Sequence, residues 1–184
     1  MYTVLFGFQD QLYAMKKFPL LSDADVENEV EMIKKLAHAF IIGCHCSFKT
    51  KDHMHLVMEY ASGGDLFGRI KKRRGENRSF RVSKIKEWFT MILLAIGFMH
   101  KQNVYHRDLK TPNVLIVIAE GGKEIFKICD FGLSKQAEIA SAAVHTKVGT
   151  KQYMAPEVVL NQPYKKEADL WSLGCMLYEM WYNL

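Results

Sequence analysis

The chain has 184 residues, of which 49% are hydrophobic and 24% are charged. A chain of this length can bury one large core or two smaller ones, and its composition excludes long disordered tracts. The longest apolar run, residues 91–99, is too short to span a bilayer, and the first residues lack the basic start and cleavage site of a secretion signal. We therefore expect a soluble intracellular protein.

The formal net charge of +5 suits an anionic ligand such as a nucleotide, although many proteins are mildly basic. The cationic run at 71–74 has no interleaved aromatic residues and no second basic patch beside it. This pattern favours a solvated helix end over a surface for nucleic acid or lipid. We expect neither a nucleic-acid partner nor a membrane partner.

The four cysteines are Cys44, Cys46, Cys129 and Cys175. The first two are predicted to lie on one face of a strand. No second cysteine pair or histidine pair completes the spacing of a zinc site. The pattern favours free, buried thiols in a reducing compartment over a metal site.

The first 60 residues predict a β-rich unit with one helix. Strands are expected at 3–8, 12–18, 40–48 and 53–58. A capping box at 22–25 opens a helix whose apolar residues recur at spacings of three and four. The glycine-containing loop at 61–64 marks the boundary between two lobes.

The remainder of the chain predicts a mainly helical unit with one hairpin. The expected elements are a short helix at 66–72, a polar insert at 73–79, a long helix with an apolar stripe from Ile85 to Met99, strands at 114–119 and 124–129, a mobile loop at 135–151, and a final helix at 168–181. The final helix is apolar on most sides, so we expect it to be buried.

The predicted hairpin has a chemical consequence. If its centre lies within the glycine pair at 121–122, Asn113 and Asp130 are equidistant from it and meet within about 5 Å. Asp108 and Lys110 lie just upstream in the same loop. Carboxylate and amide oxygens suit Mg²⁺ together with substrate phosphates. Turn-forming residues account for any one of these positions, but not for all of them in this order.

A second charged pair is predicted in the first unit. Glu29 lies on the apolar stripe of its helix, where an unpaired carboxylate is costly. Lys16 lies in the middle of a strand and is the candidate partner. Lys16 and Lys17 must point to opposite faces, so only one of them can be internal.

Taken together, these residues resemble the protein kinases. The matching motifs are Tyr13-Ala-Met-Lys16, Glu29, His106-Arg-Asp-Leu-Lys-Thr-Pro-Asn113, Asp130-Phe-Gly132, Ala155-Pro-Glu157 and Asp169-Leu-Trp-Ser-Leu-Gly174, and they cover essentially the whole chain. The resemblance implies an α+β, two-lobed kinase fold. Residues 1–60 would form a small, mostly antiparallel β lobe with helix C, and 61–184 an incomplete, mainly helical large lobe ending in helix F.

The resemblance also implies a catalytic role for each motif residue. Asp108 would accept the proton of the substrate hydroxyl or orient that hydroxyl, and Lys110 would steady the transferring phosphoryl group. Asn113 and Asp130 would hold Mg²⁺. Lys16 would contact the α- and β-phosphates of ATP. Such catalysis consists of positioning and charge neutralisation.

Further ATP contacts follow from the same resemblance. Glu29 would hold the strand lysine in place. Met58 would be the gatekeeper, and Glu59 and Ala61 would meet adenine through backbone groups. Asp65 would lie near the ribose.

The substrate class is implied by Lys110, which stands two residues after the catalytic aspartate, as in serine/threonine kinases. Thr150 would then face the catalytic loop. Thr146 is the expected activating phosphosite, whose phosphate Arg107 would pair with. The alternative is an ordinary loop threonine. Within the family, Gly63-Gly-Asp-Leu66 and the insert at 70–75 are most similar to the NIMA-related kinases.

The chain also departs from the kinase pattern. Only Gly7 precedes Lys16 where a kinase has three spaced glycines, and the chain ends inside helix F. Helices that would cover Leu177, Met180 and Trp181 are absent, so the chain alone is expected to be unstable and to aggregate.

Two functional hypotheses follow from this reading. The first is a serine/threonine kinase that uses ATP and Mg²⁺ on protein substrates, cytoplasmic or alternatively nuclear or cytoskeletal. The second is a truncated product that binds nucleotide or partners without efficient catalysis. A nucleic-acid-binding role ranks third, and its sign would be salt-dependent binding that ATP does not affect. The sequence indicates no oligomeric state.

Overall fold

The computed structural model describes residues 2–5, 12–19, 30–131, 135–136 and 149–184. Four features of the sequence therefore lie outside the described residues: Gly7, the capping box at 22–25, Glu29 and Thr146. The predictions made for them stay predictions.

The amino-terminal part contains four strands and one described helical segment: β1 (Tyr2–Leu5), β2 (Leu12–Pro19), α1 (residues 30–35), β3 (Cys44–Lys49) and β4 (His53–Glu59). The carboxyl-terminal part contains α2 (Leu66–Gly75), α3 (Val82–Lys101), β5 (Val104–Tyr105), β6 (Val114–Ile118), β7 (Glu124–Ile128), β8 (Lys135–Gln136), α4 (Pro156–Val159) and α5 (Glu167–Tyr182).

The first sheet is antiparallel, with strand order β1-β2-β4-β3. In β2, Lys16 is half-buried and Lys17 is exposed, which confirms that they point to opposite faces. The predicted strand at 40–48 begins only at Cys44. The residues before it pair with the second lobe instead, because Ile41 forms a parallel bridge with Ile128.

The prediction that Cys44 and Cys46 share one face is wrong. Cys44 pairs with Met58 and Cys46 pairs with Val57, so the register shifts by one residue between them. Neighbouring residues of β4 point to opposite faces, and the bulge therefore places the two cysteines on opposite faces. Cys46 is exposed, so the thiols are free but not all buried.

The helix α1 packs its apolar stripe into the core. Val30, Ile33 and Leu36 are each at most 5% exposed and pack in one cluster with Leu56 and Met58 of β4. Spacings of three and four bring these side chains onto one face. The predicted periodicity is confirmed over the described part of this helix.

The loop at 61–64 is fastened to β6 by two backbone hydrogen bonds. The N–H of Gly63 donates to the carbonyl of Ile116, and the N–H of Ile116 donates to the carbonyl of Gly64, both at 2.8 Å. A Cβ on Gly63 would lie 2.8 Å from the Ile116 carbonyl oxygen, so only glycine permits this approach. The loop thereby connects the first sheet to the β6–β7 hairpin.

The predicted short helix at 66–72 and the predicted long helix after it are both present. Helix α2 continues to Gly75, three residues beyond the predicted end, so the cationic run at 71–74 is helical. Asp65 caps its start by accepting a hydrogen bond from the N–H of Gly68 at 2.8 Å. In α3 the buried residues include Ile85, Trp88, Ile92, Ile96 and Met99, as the stripe predicted.

The predicted hairpin is present, but its centre is displaced by half a residue. Val114 pairs with Ile128, and the N–H of Cys129 donates to the carbonyl of Asn113 at 3.0 Å. Asn113 therefore lies opposite Cys129, and the expected Asn113–Asp130 pairing is wrong by one position. The turn at Glu120–Gly122 has three residues and is centred on Gly121, which has a φ of 73°.

Two predictions for the carboxyl-terminal region need correction. The expected loop at 135–151 begins with β8, which pairs with β5, and residues 137–148 lie outside the described part. Helix α5 is buried on one side only. Its exposed large hydrophobic residues, each about half accessible, are Leu170, Trp171, Tyr178, Trp181 and Tyr182. Met180, expected on the open face, is fully buried.

Among the described helices, none combines the length and the apolar character that crossing a bilayer requires.

Candidate active site

A buried carboxylate holds the loop between β5 and β6 through hydrogen bonds to its backbone. Asp169, at the start of α5, is 2% exposed. Its oxygens accept hydrogen bonds from the N–H groups of His106 at 3.0 Å and Arg107 at 2.9 Å, and His100 Nε2 lies 2.8 Å away. A carboxylate that accepts several hydrogen bonds is well suited to a buried position. Helix α5 therefore anchors this loop.

Two non-glycine residues of the site have left-handed backbone conformations. Arg107 has a φ of 68° and Asp130 a φ of 66°. Such conformations are uncommon outside glycine, asparagine and aspartate, and they persist where surrounding contacts hold them. At Arg107 the contact with Asp169 provides that hold. Aspartate is among the residue types enriched in this conformation, whereas arginine is not, so the residue type gives no indication at Arg107.

Asp108 is the centre of a compact polar cluster. Its Oδ2 accepts from Lys110 Nζ at 2.7 Å, and its Oδ1 accepts from the Thr150 hydroxyl at 2.8 Å. Lys110 Nζ also donates to the Thr150 oxygen at 2.8 Å. Asn113 Nδ2 donates to the Asp108 carbonyl at 2.9 Å and lies 3.3 Å from Oδ2. The Asp108 side chain is 11% exposed, so it is enclosed by these partners.

The approach of Thr150 depends on the glycine before it. Gly149 has a φ of 113°, and a Cβ there would lie 2.6 Å from the Arg107 carbonyl oxygen. A side chain at this position is therefore excluded by both conformation and space. Gly149 lets the segment pass directly over the loop, and Thr150 then reaches Asp108.

His106 fixes the loop from inside as a neutral imidazole. Its Nε2 lies 3.1 Å from the Cys129 carbonyl, and its Nδ1 accepts from the N–H of Asp108 at 3.3 Å. One ring nitrogen must therefore donate while the other accepts, which is the neutral form. Complete burial lowers the pKa of His106 from its ordinary 6.5, against the opposing effect of Asp169.

A pH dependence follows from the lowered pKa of His106. Below pH 6.5 the unfolded chain binds a proton at this histidine and the folded chain does not, so stability is lost as the pH falls. We expect the free energy of unfolding in urea to be smaller at pH 5.5 than at pH 7.5, and the loss to be smaller in a His106→Gln variant. Equal losses in the two proteins would contradict this assignment.

Lys16 projects from β2 toward the end of the hairpin. Its Nζ lies 2.8 Å from Oδ1 of Asp130, and the two side chains are 26% and 44% exposed. Both line a cavity of about 310 Å³ between the lobes, together with Ile33, Met58, Pro112, Asn113, Leu115 and Cys129. The cavity is apolar on the Met58 and Leu115 side and polar at the Asp130 end. Such a division suits a ligand with an apolar ring and an anionic tail.

The polar end of this cavity has the donor types of a hard-cation site. Asn113 uses its amide nitrogen on Asp108, so its amide oxygen is the atom that can ligate a cation. Asp130 supplies a carboxylate in the same lining. One carboxylate and one amide oxygen, with phosphates and water, fit Mg²⁺. Within the described residues no cluster of three histidine, cysteine, aspartate or glutamate side chains forms a closed metal site.

The structure brings together only part of the predicted site. Lys16, Met58, Asn113 and Asp130 share one cavity. The predicted hinge residues Glu59 and Ala61 and the predicted ribose neighbour Asp65 are not among its lining residues.

The side chains of Glu59 and Asp65 make other contacts. Glu59 Oε2 accepts from Lys127 Nζ at 2.7 Å and from the N–H of Gly43 at 3.2 Å. The Asp65 carboxylate accepts the hydrogen bond from Gly68 that caps α2. Whether Lys16 pairs with Glu29 lies outside the described residues.

Comparison with known protein families matches residues 3–183 to the protein kinase domain. The chain belongs to the protein kinase family. The predicted two-lobed kinase fold is thereby confirmed.

The kinase domain is similar to several serine/threonine kinases. It is 39% identical to Serine/threonine-protein kinase nekl-2 of Caenorhabditis elegans, over 84% of this chain and 44% of that protein. It is 38% identical to Serine/threonine-protein kinase Nek3 of Mus musculus, over 96% and 34%. For Serine/threonine-protein kinase Nek5 of Homo sapiens the identity is 34%, over 90% and 23%. The predicted likeness to the NIMA-related kinases is confirmed.

The chain spans less than half the length of these relatives.

Sequence reasoning missed one polar group of this kinase domain. Thr111 in the loop between β5 and β6, Tyr153 and Glu179 are connected by hydrogen bonds of 2.8–3.1 Å. A signal was available, because Glu179 is a carboxylate in the otherwise apolar stretch 173–181. A carboxylate in such a stretch needs a partner, as is also expected for Glu29 on its predicted apolar stripe.

Proposed function

We propose that this kinase domain transfers the γ-phosphate of ATP to serine and threonine hydroxyls of protein substrates. One observation carries the proposal. An alcohol O–H, that of Thr150, donates to Oδ1 of Asp108 at 2.8 Å, and Lys110 Nζ lies 2.7 Å from the other oxygen. A carboxylate that accepts an alcohol hydrogen beside a cation has what a general base for hydroxyl attack requires. The names of the relatives support the serine/threonine class.

In this proposal each residue of the cluster has one task. Asp108 accepts the hydrogen bond of the substrate hydroxyl at its carboxylate and takes up the proton as the hydroxyl oxygen attacks. Lys110 stays protonated and neutralises charge beside the transferring group. Asn113 holds the backbone and carboxylate of Asp108 in place through its amide nitrogen. Thr150 completes the wall of the site on the substrate side. These tasks are positioning and electrostatics, which dominate phosphoryl transfer.

ATP would occupy the cavity of about 310 Å³ between the lobes. Met58 and Leu115 would enclose the adenine ring, with the backbone of Glu59 and Ala61 at the hinge and Asp65 toward the ribose. Lys16 would meet the phosphates. Its position against Asp130 brings the cation to the polar end of the cavity.

The donor set fits Mg²⁺, which the Asn113 amide oxygen and the Asp130 carboxylate would hold. When bound, the ion neutralises phosphate charge and orients the phosphates. Glu29 as the partner of Lys16, and Thr146 as a phosphosite facing Arg107, remain part of the proposal.

Lobe boundaries and location complete the proposal. Residues 1–60 would form the small lobe and 61–184 the large lobe. The four free cysteines favour a reducing compartment, so we place the protein in the cytoplasm.

A matched pair of neighbouring lysines tests this proposal. Lys16→Ala should lower phosphate transfer from Mg-ATP to a generic basic protein by about 100-fold, because a preorganised cation is removed from the phosphates. Lys17→Ala removes an exposed cation from the opposite face of the same strand and should leave transfer unchanged. Incorporation of radiolabelled phosphate into serine and threonine, identified after acid hydrolysis, gives the readout.

Two results would overturn the proposal. Equal activity of the two lysine variants would show that Lys16 does not serve the phosphates. A wild-type chain that binds ATP in calorimetry but transfers no phosphate would instead be a nucleotide-binding protein.

A further inference from the structure

A chain of three polar side chains joins the catalytic loop to helix α5. The Tyr153 hydroxyl lies 3.1 Å from Thr111 Oγ1 and 2.9 and 2.8 Å from the two carboxylate oxygens of Glu179. Thr111 belongs to the 3₁₀ turn Thr111–Asn113, and Tyr153 closes the turn Lys151–Tyr153. Three separate parts of the chain therefore meet at one phenol.

The direction of these hydrogen bonds follows from proton counting. Tyrosine carries one hydroxyl proton, and the Glu179 carboxylate can only accept, so Tyr153 donates to Glu179. The Thr111 hydroxyl must then donate to the Tyr153 oxygen. Burial, reinforced by Glu179, raises the pKa of Tyr153 to about 12, so the phenol keeps its proton at neutral pH. The chain runs in one direction, from Thr111 through Tyr153 to Glu179.

The Thr111 hydroxyl cannot form a hydrogen bond with solvent instead. Its side chain is fully buried, with a relative exposure of 0%. A buried hydroxyl without a hydrogen bond costs about 1–3 kcal/mol. The same residue accepts the N–H of Val114 at its carbonyl, which begins strand β6. Thr111 is thus held at both its side chain and its backbone.

Tyr153 is itself fixed to α5 by a second contact. Ser172 Oγ donates to the Tyr153 carbonyl at 2.7 Å. The phenol and the backbone of Tyr153 are both tied to the same helix, which also supplies Asp169 to the other end of the catalytic loop. Helix α5 therefore holds the loop at two points. Asp169 contacts it directly before Asp108, and Glu179 contacts it through Tyr153 at Thr111, after Lys110.

We propose that Thr111 is a positioning residue for phosphoryl transfer, whose hydroxyl, held by Tyr153 and Glu179, fixes Lys110 and Asn113 in register with Asp108. Thr111 is adjacent to Lys110 and two residues before Asn113, so a shift of its backbone displaces both neighbours. Thr111 is not among the residues that line the cavity proposed for ATP. In its kinetic consequence, the inference rests on the proposed kinase function.

The kinetic test uses the full chain with Thr111→Val, which keeps the shape and removes the hydroxyl, and Thr111→Ser, which keeps the hydroxyl. We expect kcat to fall about 10-fold in Thr111→Val, since small displacements of reacting groups are costly. The KM for ATP should stay within about twofold, because ground-state binding is not removed. Thr111→Ser should recover most of kcat. Thr90→Val, which removes an exposed helical hydroxyl, is the matched control.

A double-mutant cycle with Tyr153→Phe tests the connection itself. If the hydroxyls act as one unit, the double variant should be no slower than the slower single variant within about twofold. Multiplicative losses would overturn the inference. A loss in Thr111→Val that Thr111→Ser does not restore would overturn it too.

A readout without catalysis separates this inference from the proposed function. In Thr111→Val, amide hydrogen exchange at 106–114 should accelerate about 10-fold relative to wild type, while exchange within α3 stays unchanged. If the wild type transfers no phosphate, the proposed function fails, and this exchange pattern still decides whether Thr111 holds the loop. Unchanged exchange at 106–114 would overturn the inference in either case.

Discussion

Asp108→Asn is expected to lower kcat for phosphate transfer by about 10²–10⁴-fold, the range that general-base catalysis supplies. Asparagine has nearly the same shape, and its amide oxygen can still accept the hydrogen bond that Thr150 donates to Oδ1. It cannot take up a proton at neutral pH. Its amide nitrogen would also face Lys110 Nζ, which now lies 2.7 Å from Oδ2, so an attraction between opposite charges becomes a contact between two donors.

The measurement for Asp108→Asn is the rate of phosphate transfer at saturating Mg-ATP, together with the melting temperature. ATP should still bind, because Asp108 does not line the cavity that contains Lys16 and Asp130. The exposed Asp52 offers a control, and Asp52→Asn should retain full activity. An Asp108→Asn variant that is folded and as fast as wild type would contradict the role given to this carboxylate.

Asp169→Ala is expected to lower the free energy of unfolding by about 3–5 kcal/mol, as removal of one member of a buried charged network typically does. The substitution leaves the N–H groups of His106 and Arg107 without their acceptor in a buried loop. It also removes the contact that holds Arg107 at a φ of 68°. The catalytic loop should therefore relax, and activity should be lost together with stability.

Urea unfolding monitored by circular dichroism measures the effect of Asp169→Ala. Asp52→Ala serves as the exposed control for loss of a carboxylate and should change the free energy of unfolding by no more than about 0.5 kcal/mol. Amide exchange at 106–107 should accelerate in Asp169→Ala more than elsewhere in the catalytic loop. Stability equal to that of wild type would show that the three hydrogen bonds of Asp169 are not needed to anchor the loop.

The sequence predicted features that depend on local pattern. Apolar spacing identified α3 and the described part of α1, because a helix repeats every 3.6 residues and needs one buried face. The alternation of side chains along a strand predicted that Lys16 and Lys17 point to opposite faces of the sheet. Motif order along the chain identified the family, since the reacting groups of a kinase come from fixed places on the fold.

The hairpin marks the limit of such reasoning. The prediction that residues 113 and 130 converge was right in location and wrong in register. A glycine pair accommodates a two-residue or a three-residue turn, and only the strand packing selects between them. The observed turn at Glu120–Gly122 has three residues, so Asn113 pairs with Cys129. The bulge between Cys44 and Cys46 was likewise not predictable, because the pairing with β4 sets its register and the local sequence does not.

The amino-acid sequence alone determined the family and the order of its motifs, and it predicted that Asp108, Asn113 and Asp130 carry the chemistry. Only the tertiary structure decided how they are held. The three hydrogen bonds of Asp169 connect residues distant in sequence, as do those from Thr111 through Tyr153 to Glu179. The left-handed backbone at Arg107 depends on the contact with Asp169. Such contacts form only when a fold has brought their partners together, so no local pattern of residues can encode their geometry.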